Sequence, residues 1–206
     1  MSNRRIVGPG DHAVRIAHNA GFTRLESVWD LPDNAELRQR RPNPCVLARG
    51  DTIAVPELWP SQTEVQTGAR HHFVLSRTSI ELRLTLRNFL RRPLANRPCT
   101  LEVDGDAHPL VTDGDGVVTR PIPHDARVAV LRLDDDEVEL LIGYLEPIET
   151  EAGWKNRLMN LGYLVDPENA DAVELALEEF QVDHGLELTR APDDATRAAL
   201  QEDHGS

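Results

Sequence analysis

Residues 154–200 read WKNRLMNLGYLVDPENADAVELALEEFQVDHGLELTRAPDDATRAAL, and their spacing carries the clearest helical signal in the chain. Trp154, Leu158 and Leu161 recur at intervals of four and three residues, as they do on one face of an amphipathic helix. Gly162 follows directly and is a common stop signal for a helix. The pattern therefore predicts a helix that ends near Gly162 and buries one apolar face.

A second helix is predicted from about Asn169 to Gly185, because apolar and acidic residues fall on opposite faces of that segment. The residues of its apolar face are Val173, Ala176, Leu177 and Phe180. Pro192 and Asp193 then supply the start signal of a third, shorter helix, and Leu200 is its apolar anchor. These three segments predict a helical unit at residues 149–206.

The residue order of this unit resembles the peptidoglycan-binding-domain-1 family. The segments that carry the resemblance are RLMNLGYLVD, ALEEFQVDHGLELT and DDATRAAL. The resemblance implies that five residues occupy the family's characteristic positions in the binding domain: Leu161, Gly162, Tyr163, Phe180 and Gln181. Between the first two helices the chain has LVDPENAD in place of the family's Gly-rich, Asp-containing loop.

The N-terminal residues 5–57 predict a strand, two helical segments and a closing strand. RIVGPGD begins with a short apolar run, and HAVRIAHNAGF and the segment around Trp29 have helical spacing. CVLARGDTIAVPE, at 45–57, alternates around a Gly-Asp pair, which predicts a strand, a turn and a second strand. The expected order is therefore β-α-α-β.

This order resembles a LysM module, which we place at residues 1–57. The matching positions are Pro9, Gly10, Asp11, Ile16, Ala17, Asn43, Pro44, Gly50, Asp51, Ile53, Val55 and Pro56. In LysM modules glycan lies in a shallow groove between the loop after the first strand and the loop before the second. The resemblance therefore implies a groove for glycan or a protein partner, formed by Gly10, Asp11, His12, Asn43 and Pro44.

Residues 58–70 are polar and without periodicity, so they are predicted to form a linker. Residues 71–148 are predicted to form a β-sandwich, because apolar and polar residues alternate in short segments separated by Asp, Gly and Pro. The predicted strands are 73–77, 80–86, 99–103, 107–111, 117–120, 128–133 and 138–142. The whole chain is thus expected to be a multidomain α+β protein.

The central segment is similar to prealbumin-like and carboxypeptidase-regulatory-like sandwiches. The positions that carry this similarity are Pro93, Leu94, Ala95, Asn96, Leu101, Thr112, Asp113 and Gly116. Such domains are spacers or docking modules, so the similarity implies a fold and no particular chemistry.

Charge and hydropathy exclude two classes of partner. The net charge is −13, whereas nucleic-acid binding needs a clustered basic surface. No apolar run reaches the length of about 18 residues that a membrane span requires.

The N-terminus MSNRRIVGPGDHAV lacks the apolar core of a signal peptide. We therefore expect synthesis in the cytoplasm, with delivery to the envelope or outside only through a non-classical export machine.

No catalytic motif, metal site or cofactor site is predicted. Cys45 and Cys99 are the only cysteines and lack the spacing of a metal pair, so reduced thiols are favoured. The Asp-Gly segments at 104–106 and 113–116 lack the glutamate that closes an EF-hand loop, so hairpin turns are the better interpretation. With 35 acidic residues, no pair can be nominated as a glycosidase centre.

The order of a LysM-like module, a sandwich and a peptidoglycan-binding-like unit resembles accessory proteins of phage-tail-like contractile injection systems, including type VI secretion. That resemblance implies a non-catalytic binding or structural role near the spike, the baseplate or a delivered effector. Two alternatives stay open. One is a true peptidoglycan-binding subunit that targets a lytic enzyme. The other is an enzyme such as a glycan hydrolase, with two carboxylates about 5–10 Å apart in a cleft.

Overall fold

A computed structural model describes residues 2–58, 67, 68, 70, 79–88 and 90–205. Antiparallel sheets and helices give the chain a mixed α+β fold, and its buried apolar residues form three separate clusters. We name the corresponding parts the N-terminal unit (2–58), the sheet unit (79–88 and 90–144) and the C-terminal unit (146–205). Most of the predicted linker and the predicted strand at 73–77 lie outside the described residues.

The N-terminal unit follows the predicted order, with one more helix. Its elements are β1 (Ser2–Ile6), α1 (Ala13–Asn19), α2 (Glu26–Trp29), a 3-10 turn (Pro32–Asn34), α3 (Ala35–Arg40) and β2 (Thr52–Pro56). β1 and β2 pair antiparallel. The strand predicted just before the Gly-Asp pair is wrong, because Asp51 accepts a hydrogen bond from the Ala48 N–H at 3.0 Å and turns the chain back.

The amide of Asn34 takes the place of a third strand in this unit. Its Oδ1 accepts from the Ala54 N–H at 2.7 Å, and its Nδ2 donates to the Ala54 carbonyl at 2.9 Å and the Val28 carbonyl at 2.8 Å. Asn34 is 1% exposed. Since these are the groups that a neighbouring strand would bind, Asn34 closes one edge of β2.

The sheet unit contains two antiparallel sheets that share one apolar cluster. Its strands are β3 (Ser79–Thr85), β4 (Pro98–Val103), β5 (Asp106–Val111), β6 (Val117–Pro123), β7 (Val128–Leu133) and β8 (Asp136–Leu141). One sheet pairs β3 with β6, and the other has the order β5-β4-β7-β8. All the strands predicted within the described residues of this unit are confirmed, and in β3 and β4 burial alternates as the sequence does.

The two Asp-Gly segments turn out to differ. Asp104 and Gly105 both have positive φ (51° and 87°) and form the two-residue turn between β4 and β5. The segment at 113–116 instead carries the chain from β5 in one sheet to β6 in the other. The hairpin interpretation is therefore correct for the first segment and wrong for the second, since hairpins join strands that pair.

The C-terminal unit contains the three predicted helices, α4 (Glu151–Asn160), α5 (Ala170–Asp183) and α6 (Asp194–His204). Asn169 caps α5 by accepting from two main-chain N–H groups, and Asp193 caps α6 by accepting from the Thr196 N–H at 2.8 Å. Gly153 allows α4 to approach the preceding loop, because a Cβ there would lie 1.8 Å from the Pro147 carbonyl oxygen. Trp154, as predicted, is a core residue.

Candidate functional site

The two loops of the predicted groove lie side by side. The Ala13 N–H, directly after the first loop, donates to the Pro44 carbonyl in the second loop at 2.9 Å. Asn43 is exposed, and its Oδ1 accepts from the Cys45 N–H at 2.9 Å, which shapes the tip of the second loop. The structure therefore brings together Gly10, His12, Asn43 and Pro44 at one end of the N-terminal unit.

The first of these loops is covered by the sheet unit. A Cβ on Gly10 would lie 2.9 Å from Tyr144 Cε2 and 3.0 Å from an Arg127 guanidinium nitrogen. His12 is 1% exposed, and Asp11 is half-buried with its carboxylate on the Gly8 N–H at 3.1 Å. Of the five residues predicted to form the groove, Asn43 in the second loop is the one that is fully exposed.

A short network of polar contacts holds this arrangement. Arg15, which is 2% exposed, donates to the Gly10 carbonyl and, at 2.7 Å, to the Ala126 carbonyl of the sheet unit. The His12 Nε2 lies 3.2 Å from the His124 carbonyl. The rings of His18 and His124 are in contact, with centroids 3.7 Å apart and their planes tilted by 39°.

We call this contact the N-terminal seam. It comprises Gly10, His12, Arg15, His18, His124, Ala126, Arg127 and Tyr144. The sequence pattern predicted Gly10 and His12 in a groove but did not indicate the groups that cover them. A local signal was Arg15, which lies between the apolar residues Val14 and Ile16 of the first helix.

Burial controls the charge of the N-terminal seam. Desolvation, with a smaller effect from the nearby Arg15 cation, lowers the pKa of His12 to about 4. The His12 Nδ1 accepts from the Arg15 N–H at 3.3 Å, which caps α1 and requires an unprotonated nitrogen. Burial, followed by the charge of Arg127, lowers the pKa of Arg15. At neutral pH the seam therefore contains a buried cation and an uncharged imidazole.

In the C-terminal unit, Leu161 and Gly162 end α4 as predicted, with Gly162 at φ 80°. Tyr163 then packs edge-on against Phe180, with ring centroids 5.2 Å apart, and its hydroxyl donates to Asp183 at 3.0 Å. Burial, together with the hydrogen bond to Asp183, raises the pKa of Tyr163 to about 12. Tyr163 is thus a half-buried, neutral phenol.

Phe180 and Gln181 are completely buried. The Gln181 amide ties the loop between α5 and α6 to the helices, donating to Thr196 Oγ1 at 2.9 Å and the Ala191 carbonyl at 3.1 Å. Its Oε1 accepts from the Arg190 N–H at 3.0 Å. These two positions shape the unit from inside, and neither presents a side chain to a ligand.

The C-terminal seam joins this unit to the sheet unit through charged side chains. The Arg91 guanidinium lies 4.0 Å from the centre of the Tyr163 ring and pairs with Glu179 at 3.4 Å and Asp183 at 3.2 Å. Arg87 pairs with Asp203 at 2.9 Å. A residue of the sheet unit therefore covers a candidate site residue here too. We define the C-terminal seam as Arg87, Arg91, Tyr163, Glu179, Asp183 and Asp203.

One open depression of about 470 Å³ lies on the outer face of the four-stranded sheet, beside the N-terminal seam. Its lining residues are Glu102, Asp104, Gly105, Asp125, Arg127, Val128 and Val130.

Across the described ranges, no group of three or more metal-ligating side chains is arranged to hold an ion. None of the helices in the described part of the chain combines the length and apolar character needed to span a membrane.

Comparisons of the chain with known protein families, curated proteins and solved structures found no match.

Proposed function

We propose that this protein is a non-catalytic binding or structural protein, and that it serves as an accessory component of a contractile injection or type VI secretion apparatus. In this proposal its wall-binding-type modules act mainly as docking units. The observation that carries it is the burial of Gly10 under Tyr144 and Arg127 and of His12 against the His124 carbonyl. A glycan chain would have to displace the sheet unit before it could occupy that half of the groove.

The arrangement of elements supports the module assignment. Paired strands flank helices in the N-terminal unit, two sheets share a core in the middle, and three capped helices form the C-terminal unit. These are the arrangements that LysM-like, prealbumin-like and peptidoglycan-binding-like modules would have. The assignment to an injection apparatus rests on the order of these three modules along the chain.

A true peptidoglycan-binding subunit is the second candidate. The exposure of Asn43 favours it, because one loop of the groove stays accessible. The two candidates differ in what contacts this loop. In the first, Asn43 and Pro44 face a protein of the apparatus, whereas in the second they bind the sugar chain of the wall.

Co-sedimentation of the full chain with insoluble peptidoglycan, at low and moderate salt, separates the candidates. We expect no saturable pelleting of the wild-type protein. Saturable pelleting that Asn43→Ala abolishes and the exposed control Arg24→Ala retains would replace the first candidate with the second.

Mass spectrometry of purified injection particles from the producing cells tests the assignment to the apparatus. We expect the protein to co-purify with the particles at a fixed ratio to a baseplate component. Its absence from intact particles, in cells that contain the protein, would contradict this assignment.

A further inference from the structure

Two of the sheets have one closed edge and one open edge each. In the N-terminal sheet, Asn34 closes the edge of β2 with its amide. In the four-stranded sheet, Pro109 lies in the middle of the edge strand β5 and has no N–H to offer. β1 and β8 are the opposite edges of these two sheets, and within the described residues no further strand pairs with either of them.

The open edge of β1 is basic and accessible. All five of its residues are exposed, and Ile6 is 75% exposed. Arg4 and Arg5 are neighbours in the strand, so their side chains extend to opposite faces. Among the described residues neither arginine has an ion-pair partner. The edge therefore presents unpaired main-chain groups with a positive charge on each face.

The open edge of β8 is acidic. Its sequence is DEVELL, and five of its six residues are exposed. Asp136 lies on one face, and Glu137 and Glu139 lie on the other. Glu137 is paired with Arg132 at 3.0 Å, whereas Asp136 and Glu139 have no ion-pair partner among the described residues. β8 thus carries available negative charge on both faces.

We propose that β1 of one copy adds to the edge of β8 of a second copy, so that the protein self-associates head to tail. Main-chain hydrogen bonds between the two strands would supply affinity, and the charges would select the pairing. Pairing of β1 with β1 would set arginine against arginine, and pairing of β8 with β8 would set acid against acid. Both symmetric contacts are therefore disfavoured, and only the mixed contact is complementary.

Such a contact is heterologous, because each copy uses a different strand on each side. It leaves an unused β1 at one end of the dimer and an unused β8 at the other, so addition continues until a ring closes or a filament grows. The contact is one strand pair wide, so association is weak and reaches high order only at high local concentration. This inference goes beyond the proposed function and does not depend on glycan binding.

Sedimentation velocity of the full chain over a concentration series tests the proposal. We expect the weight-average sedimentation coefficient to rise with concentration at low salt and to fall again when salt is raised to about 0.5 M. The variant Arg4→Glu/Arg5→Glu and the variant Asp136→Lys/Glu139→Lys should each weaken association at least about 10-fold. The control variant Arg24→Glu/Arg49→Glu replaces two other exposed arginines and changes the net charge of the protein by the same amount as Arg4→Glu/Arg5→Glu. It should associate like the wild type.

Mixing the two edge variants is the decisive experiment. The first variant has two acidic edges and the second has two basic edges, so each should be monomeric alone and the equimolar mixture should associate. All substituted residues are exposed, and circular dichroism of each variant reports whether the fold is retained. A wild-type protein that stays monomeric at all concentrations overturns the proposal. Association that the edge reversals do not weaken, or that mixing does not restore, also overturns it.

Discussion

The N-terminal and C-terminal seams attach the two end units to the same sheet unit, but they bury their polar groups differently. At the N-terminal seam, His12 and Arg15 are 1% and 2% exposed and contact main-chain carbonyls. At the C-terminal seam, the Arg87 and Asp203 side chains keep 28% and 20% of their exposure and contact each other. Salt screens exposed charges far more than buried ones, so the two seams should respond to different conditions.

The largest expected effect is acid destabilisation through His12. Its pKa is about 4 in the folded chain and 6.5 in the unfolded chain, so the unfolded chain binds the extra proton between these values. The contribution is constant above about pH 7, and stability falls as pH drops from about 6.5 to about 4, by about 3 kcal/mol. Urea unfolding at a series of pH values measures this loss.

His12→Asn is the variant for this test, since an asparagine still caps α1 but does not titrate in this range. We expect the slope of stability against pH below 6.5 to decrease by about one proton. His204→Gln is the matched variant in the C-terminal unit, because burial and Arg157 lower the pKa of His204 to about 4 as well. An unchanged slope in His12→Asn would contradict the buried, neutral state of His12.

Arg15→Met should cost about 2 kcal/mol of unfolding free energy, because two buried carbonyls lose their donor. The loss should be the same at low and high salt, since Arg15 is shielded from solvent. Unfolding by urea at two ionic strengths checks both statements. A loss that salt removes would show that the N-terminal seam is held by long-range charge and would erase the difference between the seams.

Tyr163→Phe should cost about 1 kcal/mol, since it removes the hydrogen bond from the Tyr163 hydroxyl to Asp183 but keeps the ring against Phe180 and Arg91. Spectrophotometric titration supplies an independent measurement. In the wild type one of the two tyrosines should ionise near pH 12. That high-pH phase should be absent from the variant. Its persistence would contradict the assignment to Tyr163.

Arg87→Met should have the smallest effect, about 0.5 kcal/mol at low salt, because the pair with Asp203 is partly exposed. High salt should reduce the difference from the wild type to nearly nothing. Arg87→Lys keeps the charge and should restore part of the loss. A salt-independent cost as large as that of Arg15→Met would mean that both seams rely on buried contacts.

Local sequence patterns predicted the strands and the C-terminal helices because neighbouring residues determine them. The alternation in β3 and the caps Asn169 and Asp193 act within a few residues. The turn at 45–51 was missed because Asp51 forms it by binding the Ala48 N–H and pairing with Arg41. Alternating side chains alone do not report such contacts.

The coverage of the candidate groove could not be predicted, because its partners are far apart in the chain. His12 contacts a residue 112 positions away, and Arg15 contacts one 111 positions away. The sequence located the two loops of the groove, whose meeting depends on the fold of one unit. It contained no pattern that links Gly10 to Tyr144, since that contact depends on how two units fit together.

Asn34 is a position at which the N-terminal unit can be damaged chemically. Side-chain amides of asparagine hydrolyse slowly, and loss of ammonia from Asn34 would leave a carboxylate facing the carbonyls of Val28 and Ala54. The N–H donors to these two carbonyls would then be gone, and acceptor oxygens would face each other in their place. Because Asn34 is 1% exposed, water reaches it only when the unit opens. The rate at which the unit opens locally therefore sets how fast Asn34 is hydrolysed, and so how long it keeps the edge of β2 closed.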